Sequence, residues 1–499
     1  MAVYEEIPVY VDQLVVAAIG VHMRERFPSF PIWTVRDGGW EFSEAGLRMR
    51  IQCPDGTGRF GGAASILEDA GGLTPEEAAG IVAGYDQTHA FARIRELVHE
   101  IIEGTPWTSD TVNWRALPSP TDYEGTLSLL KDAICVLSVA DTNNNIKGQV
   151  ESIRAVLDRT NADGSPNVGD PMSGSYVDAL RKLLTGDDED NNGQLISLCM
   201  CAHDLLVALA WFVQAEQGIW KAARDDAANV IFDAIAVFDD WRPGTNSDLG
   251  KLTAVLGLAT ALFALAGSMM TVPAAIFGLF AGMTAVSDAF DTGKTSMSSC
   301  VRPCSSVDGL IQGLSDSLAS VIQVDGGSTS VAQGIYAREW DLFLNAQAMA
   351  VSTTTAAKSG NQPVLLRPNR VLYKSNAIPS ADLDELSTVA SIYLDRIIDD
   401  LEAVVGDLEK INEFPAMDDW LRPPGLGYAL HDGKRGPFDM WNTFAVAILD
   451  LVGETGTWYG QAIKVLRDVQ DNILTYKTTV QEADADDAGA CERIRNGWS

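Results

Sequence analysis

LDELSTVASIYLDRIIDDLEAVVGDLEKI, residues 383–411, is the stretch whose period decides the fold class. Its apolar residues recur at Leu383, Leu386, Ala390, Tyr393, Ile397, Leu401, Val404, Leu408 and Ile411. Steps of three and four, with one 4-4 pair, put them on a single stripe of an α-helix that packs along a seam with little supercoil. Ser380 stands where a cap belongs, and Asp382, Asp384 and Glu385 suit the positive end of the helix dipole. Ala462, Leu466, Val469, Ile473, Tyr476 and Val480 repeat the rhythm further on. Two long seams need partners, and an antiparallel bundle is the simplest way to supply them. The predicted fold is therefore mainly α: an elongated antiparallel helical bundle with a central apolar helical hairpin and a small mixed N-terminal region.

Working back along the chain gives three regions. Residues 1–118 read as mixed: LRMRIQC (47–53) alternates like a half-buried strand, and residues 74–104 read as a helix with Thr74 as cap. The Pro- and Ser-containing stretch 106–125 reads as a loop and marks the first boundary. Residues 119–300 hold amphipathic helices, a long apolar-periodic run from Gln194 to Asp240, and the hairpin at 252–287. Residues 301–499 form the C-terminal long-helix region, with further helices expected at 305–322 and 330–357.

The hairpin expectation rests on an uninterrupted apolar run. Between Lys251 and Asp288 no residue is charged. As one helix this stretch would be about 54 Å long, against a bilayer core of about 30 Å. Pro273 near its centre breaks a continuous helix, so the halves fold back on each other. Gly257 and Gly267 keep the first half slim, and Gly278 and Gly282 form a GxxxG pair that permits close helix approach. Two readings stand side by side: a hairpin buried at the centre of a bundle, or one that enters a bilayer. The flanks carry no Lys/Arg bias to fix a permanent orientation, and no interfacial Trp or Tyr.

The rest of the chain has the opposite character. With 68 acidic against 36 basic residues the net charge is -32, and no Lys/Arg cluster is present to displace counterions, which argues against nucleic acid. The same charge disfavours anionic lipid headgroups, so any membrane contact must come from apolar surface. At 46% hydrophobic and 21% charged residues the chain is composed like a folded protein, not a disordered one. Its N-terminus begins with acids and a short apolar run without a small-residue cleavage site, so no cleaved secretory signal is expected. Seven cysteines do not make a disulfide framework; only Cys300 and Cys304 are closely spaced in a loop, with no second pair to complete a zinc set.

Four motif candidates each have a plainer reading. Gly56, Gly58 and Gly61 have GxGxxG spacing, but the preceding strand alternates with arginines and AASILEDA (63–70), read as a helix, is cut short by glycines. Gly293, Lys294 and Thr295 resemble the end of a phosphate loop, but Asp288 stands where its first glycine belongs. Asp188, Asp190 and Asn192 follow calcium-loop spacing, but the closing position is Cys199. Cys199 and His203 share a helix face while Cys201 points away, as core residues would. The expectation is no catalytic constellation, no metal and no cofactor.

ILDLVGETGTWYGQAIKVLRDV (448–469) reads as helix, short turn and helix, with Trp458, Tyr459 and Gly460 at the turn. It resembles the helix-turn-helix of the WXG-type proteins exported by type VII secretion systems, in which Trp packs at the turn and Gly permits close approach. Tyr428 and Asp432 have the Tyr-x-x-x-Asp/Glu spacing of that family's export signal, ahead of the turn. An apolar hairpin between long helices is also similar in layout to the head of α-helical pore-forming toxins. These resemblances imply a non-enzymatic helical protein, secreted or at the cell surface without a cleaved signal, that meets a membrane through residues 252–287. The alternative is a soluble, cytoplasmic structural or interaction protein with the hairpin as core. Either way the seams imply self-association or a helical protein partner, and no nucleic acid.

Overall fold

The computed structural model describes residues 2–27, 34–36, 39–44, 47–53, 63–69, 74–77, 87–104, 113–138, 146–160, 170–186, 193–242, 247–248, 303–304, 306–322, 380–413 and 459–497. Helices hold most of them, and one small antiparallel sheet lies near the N-terminus. The helices are α1 (Ile7–Arg26), α2 (Thr88–Glu103), α3 (Glu124–Leu137), α4 (Ile146–Asp158), α5 (Ser175–Leu184) and α6 (Gln194–Asp240). They continue with α7 (Val307–Ile322), α8 (Ser380–Thr388), α9 (Asp395–Glu413) and α10 (Tyr459–Gly497). The expected helix at 330–357 lies outside the described residues.

At 47 residues, α6 is the axis of the body, and α1, α3, α5 and α7 all pack on it. Its Trp220, Ala223, Ala227, Ala228, Ile231, Ala234 and Phe238 are completely buried, with small residues admitting close neighbours. The helix α1 has no counterpart among the elements expected from the sequence. It is apolar nearly all round, as a helix enclosed by α2, α6 and α7 must be. By length and composition Tyr4–Arg26 could cross a membrane, yet 61% of its apolar window is buried in the protein. Contacts between α1 and α6 advance together along both helices: Tyr10 stacks edge-on with Phe232 at 5.3 Å and Arg24 reaches the Phe238 carbonyl, while Glu5, just before α1, pairs with Arg224 at 3.0 Å.

The sheet is a meander of four strands, β1 (Thr34–Arg36), β2 (Gly39–Glu44), β3 (Leu47–Gln52) and β4 (Ala63–Asp69). In β3 the expected alternation holds: Met49 and Ile51 are buried while Gln52 is exposed. Trp40 of β2 lies against Gly20 of α1, where an added Cβ would come within 3.2 Å of the indole. Residues 63–69 are a strand, not the helix read from AASILEDA; pairing with β3 satisfies the backbone groups on one edge and overrides helix propensity. The segment 74–104 is likewise not one helix. Thr74 and Glu77 form a capping box at its start, but Gln87 is non-helical and α2 begins afresh at Thr88.

The C-terminal seam is where the period placed it. Leu383, Leu386, Ala390, Ile397, Leu401, Val404, Leu408 and Ile411 are buried, with Tyr393 half-buried. Between α8 and α9 runs a π-helical stretch, Val389–Leu394, just ahead of the 4-4 pair in the spacing. A π turn leaves a carbonyl short of its usual donor, and Gln470 Nε2 of α10 donates to Ala390 O at 3.1 Å and to Asp395 Oδ1 at 3.0 Å. Arg467 pairs with Glu402, and Lys477 with Asp384 at 3.0 Å. Partner numbers fall along α8–α9 as they rise along α10, so the two run antiparallel. Of the second seam, Ala462, Leu466, Val469 and Ile473 are buried; Tyr476 and Val480 are only partly covered. α3 packs on both α6 and α9 and so joins the two halves.

Candidate functional site: the base of the apolar excursion

The chain leaves α6 at Trp241 and returns at α7, and the two ends are neighbours. Two short strands, β5 (Ser247–Asp248) and β6 (Pro303–Cys304), pair antiparallel with Ser247 opposite Cys304 and Asp248 opposite Pro303. Residues 249–302, including the apolar run, fall between these strands in the sequence and outside the described residues. Gly257, Gly267, Pro273, Gly278, Gly282 and Cys300 belong to this stretch. Tyr428, Asp432 and Trp458, elsewhere in the chain, lie outside them too. Gly460 is described: it lies half-buried in the first turn of α10. Of the pair in SSCVRPCSS, only Cys304 has a described place, in β6.

Both helix ends at this base are terminated by consecutive residues of α1. An α-helix leaves its last carbonyls and first amides without partners, with partial negative charge at the former and positive at the latter. Arg24 Nη2 donates to the Phe238 carbonyl oxygen at 2.7 Å, placing a cation at the C-terminal end of α6. Glu25 Oε2 accepts from the Val307 amide at 3.0 Å, placing an anion at the N-terminal end of α7. Ser306 completes that N-terminus, its hydroxyl accepting from Gly309 N at 3.2 Å and its carbonyl from Leu310 N at 3.1 Å. Both side chains thus have the sign that the helix end requires.

The surroundings are charged and partly dry. Burial pushes the Arg24 pKa down, with Arg242 adding repulsion, while Asp239 and Asp240 oppose the shift. Burial also raises the Asp239 carboxyl, against the pull of Arg24. Arg242 Nη1 donates to the carbonyls of Asp239 and Trp241 at 2.9 and 2.8 Å, closing the end of α6 over buried Trp241. The described contacts of the site terminate two helices. Among the described residues no three His, Cys, Asp or Glu side chains are grouped as metal ligands. Cys199 and His203, the pair from the sequence, are both buried on α6.

A second buried polar group lies further up α6. Asp226 is 4% exposed, and its Oδ2 has no hydrogen-bond partner among the described residues. Burial, with Asp225 beside it, pushes its carboxyl up to about 8. Nearby on the same helix, Arg224 lies 4.0 Å over the Tyr4 ring, and the Tyr4 hydroxyl donates to Trp114 O at 2.6 Å while accepting from Leu117 N at 2.9 Å. This ties the start of α1 and the 113–119 loop to α6.

The base has no compact signature in the sequence. MRER at the end of an apolar helix is a readable stop signal, but the partners of Arg24 and Glu25 lie 214 and 282 positions away. No family model, curated protein or solved structure matches this chain.

Proposed function

We propose that this is a non-enzymatic protein, built as an elongated antiparallel helical bundle, that meets a membrane through the apolar segment 252–287. The observation that carries the reading is the pairing of residues 247–248 with 303–304. A segment whose ends lie side by side must turn back within itself, and Pro273 falls near the middle of the span they enclose. A helical hairpin with no charge along its length suits a bilayer, where every backbone group must be bonded within the segment. The acidic remainder favours apolar insertion over headgroup attraction. Delivery without a cleaved signal, by a type VII route, rests on the resemblance of residues 448–469 to the WXG-type helix-turn-helix.

Flotation with uncharged phosphatidylcholine vesicles tests the membrane arm. Wild type is expected to partition, and Gly278→Asp/Gly282→Asp to lower partitioning at least about 10-fold, since each carboxylate at mid-bilayer costs several kcal/mol. Wild type that stays out of lipid at both neutral and acid pH rejects the reading. Recovery of the protein only from the cytosol of cells carrying type VII machinery rejects the export arm.

A second reading, self-association or binding of a helical partner, draws on α10. Toward its C-terminal end, Gln481, Glu482, Ala485, Asp486 and Ala488 are exposed. Light scattering across a concentration series, with α10 shortened after Val480, separates a self-associating rod from a monomer.

A further inference from the structure

Independently of the membrane reading, we infer that the exposed side of the α1–α6 pair is a docking surface for a basic amphipathic helix of another protein. Among the described residues the exposed large apolar side chains are Val3, Val9, Val35, Phe232 and Ile392. Apolar side chains exposed singly are ordinary on any protein surface and imply no partner. Val3, Val9 and Phe232, however, gather around one ring. Phe232 meets Tyr10 edge-on at 5.3 Å, the Val3 amide donates to the Tyr10 hydroxyl at 3.1 Å, and Val9 precedes Tyr10 in α1. Val9 is 53% exposed, and Val3 and Phe232 are each 46% exposed. The patch is also tied in place within the chain. The Tyr10 hydroxyl donates to Glu6 Oε2 at 2.6 Å, the Ala2 amide donates to Asn229 Oδ1 at 3.3 Å, and buried Tyr4 is held to Trp114 and Leu117. A surface ordered beforehand loses little freedom on binding.

Charge decides the occupant. Residues 2–16 hold three acids and no Lys, Arg or His, and residues 225–239 hold four acids and again no base, in a chain whose acids outnumber its bases only 68 to 36. Glu6 and Asp12 lie within one turn of Val9, and Asp233 follows Phe232. Arg224, just outside these stretches, is paired with Glu5 at 3.0 Å, and the chain's amino group offsets Asp233 in part. A second copy docked symmetrically would set these acids against their own counterparts, and anionic headgroups would meet the same repulsion. A helix with apolar anchors flanked by Lys and Arg has the complementary sign, and two packed helices offer the groove into which such a helix fits.

The probe is a fluorescein-labelled synthetic helix about four turns long, with Leu along one face and Lys along the rest. Its anisotropy is titrated with the full-length protein at about 0.15 M salt, where distant charges are screened. Wild type is expected to bind saturably, with a Kd on the order of micromolar. Phe232→Lys should weaken binding at least about 10-fold, because it removes an anchor and adds a like charge. Ile392→Lys makes the same change of charge at an exposed apolar residue of the π-helical stretch, and it should leave the Kd within about 2-fold of wild type. No binding by wild type, or an equal response of the two variants, overturns the docking surface. Equally tight binding of a Leu/Glu helix of the same length overturns the choice of a basic partner. A wild-type dimer that Phe232→Lys splits in sedimentation assigns the patch to a second copy, and flotation with phosphatidylcholine vesicles that Phe232→Lys abolishes assigns it to lipid; either result overturns the inference. If Phe232→Lys melts well below wild type, Val9→Lys replaces it under the same outcomes.

Discussion

The α1–α6 pair and the pairing of α8–α9 with α10 solve the same problem in different ways. Along α8–α9 the buried residues form one stripe, and the contact with α10 is rimmed by ion pairs, Arg467 with Glu402 and Lys477 with Asp384. Along α1 nearly every side is buried, and its polar contacts run to backbone carbonyls, amides and partly enclosed charges. A stripe needs one neighbour; a helix buried all round needs several, and each must already be in place. The first arrangement is stabilised locally, the second only by the completed body.

Cavity formation should separate the two most strongly. Leu14→Ala in α1 and Leu401→Ala in α9 remove side chains of equal size, both fully buried. The loss at Leu14 is expected near the upper end of the range of about 2–5 kcal/mol, because neighbours on all sides prevent collapse, and the loss at Leu401 nearer the lower end. Urea denaturation of the two variants measures it, and equal losses would erase the distinction. Glycines give a contrast of sign. A Cβ at Gly193, where α6 begins, would stand 2.3 Å from the Leu184 carbonyl oxygen, so Gly193→Ala forces backbone to move at a cost of about 1–3 kcal/mol. Gly406 in α9 has nothing within 4 Å of that position, and Gly406→Ala should stabilise by about 0.5–1 kcal/mol through helix propensity.

Asp226 gives the hub a pH signature that the seam lacks. Its carboxyl is raised to about 8 in the fold, from an ordinary value of 3.8. The folded form therefore holds a proton that the unfolded chain releases. Its stability contribution is complete below about pH 4 and is lost as pH rises towards 8. Asp226→Asn should leave stability unchanged at pH 4 and raise it by about 1–3 kcal/mol at pH 8, read as melting temperature across that range. A gain that is the same at both ends of the range would show that the carboxyl is not the cause. The smallest effect belongs to the seam's rim: Arg467→Ala should cost no more than about 1 kcal/mol, and less at high salt, because the pair is exposed.

What can be read from the chain follows the same division. The stripe at 383–411 and the runs at 124–137, 146–158, 194–240 and 307–322 are legible because each alternates covered and uncovered positions within its own length. The helix α1 is not, since near-uniform apolarity has no period to read. The sheet shows itself in the alternation of one strand; Asp37-Gly38 between β1 and β2 is a hairpin signal that points to two more. At residues 63–69 the local pattern points to helix, and pairing with β3 decides otherwise. The apolar excursion is visible in composition alone, but its base is not. Arg24, Glu25, Phe238 and Val307 come together only when three helices meet, and no spacing rule reaches across 282 positions.

The reading of residues 252–287 as a segment that folds back on itself rests on residues 247–248 and 303–304 lying side by side. Ser247→Cys tests that contact directly, because Cys304 stands opposite it in an antiparallel pair, where Cα atoms lie about 4.5–5.5 Å apart, within reach of a disulfide. Mild oxidation followed by peptide mass mapping should recover a 247–304 link in high yield, with wild type giving none. If the introduced thiol stays reduced, or links mainly to another cysteine, the ends are apart and that reading is contradicted.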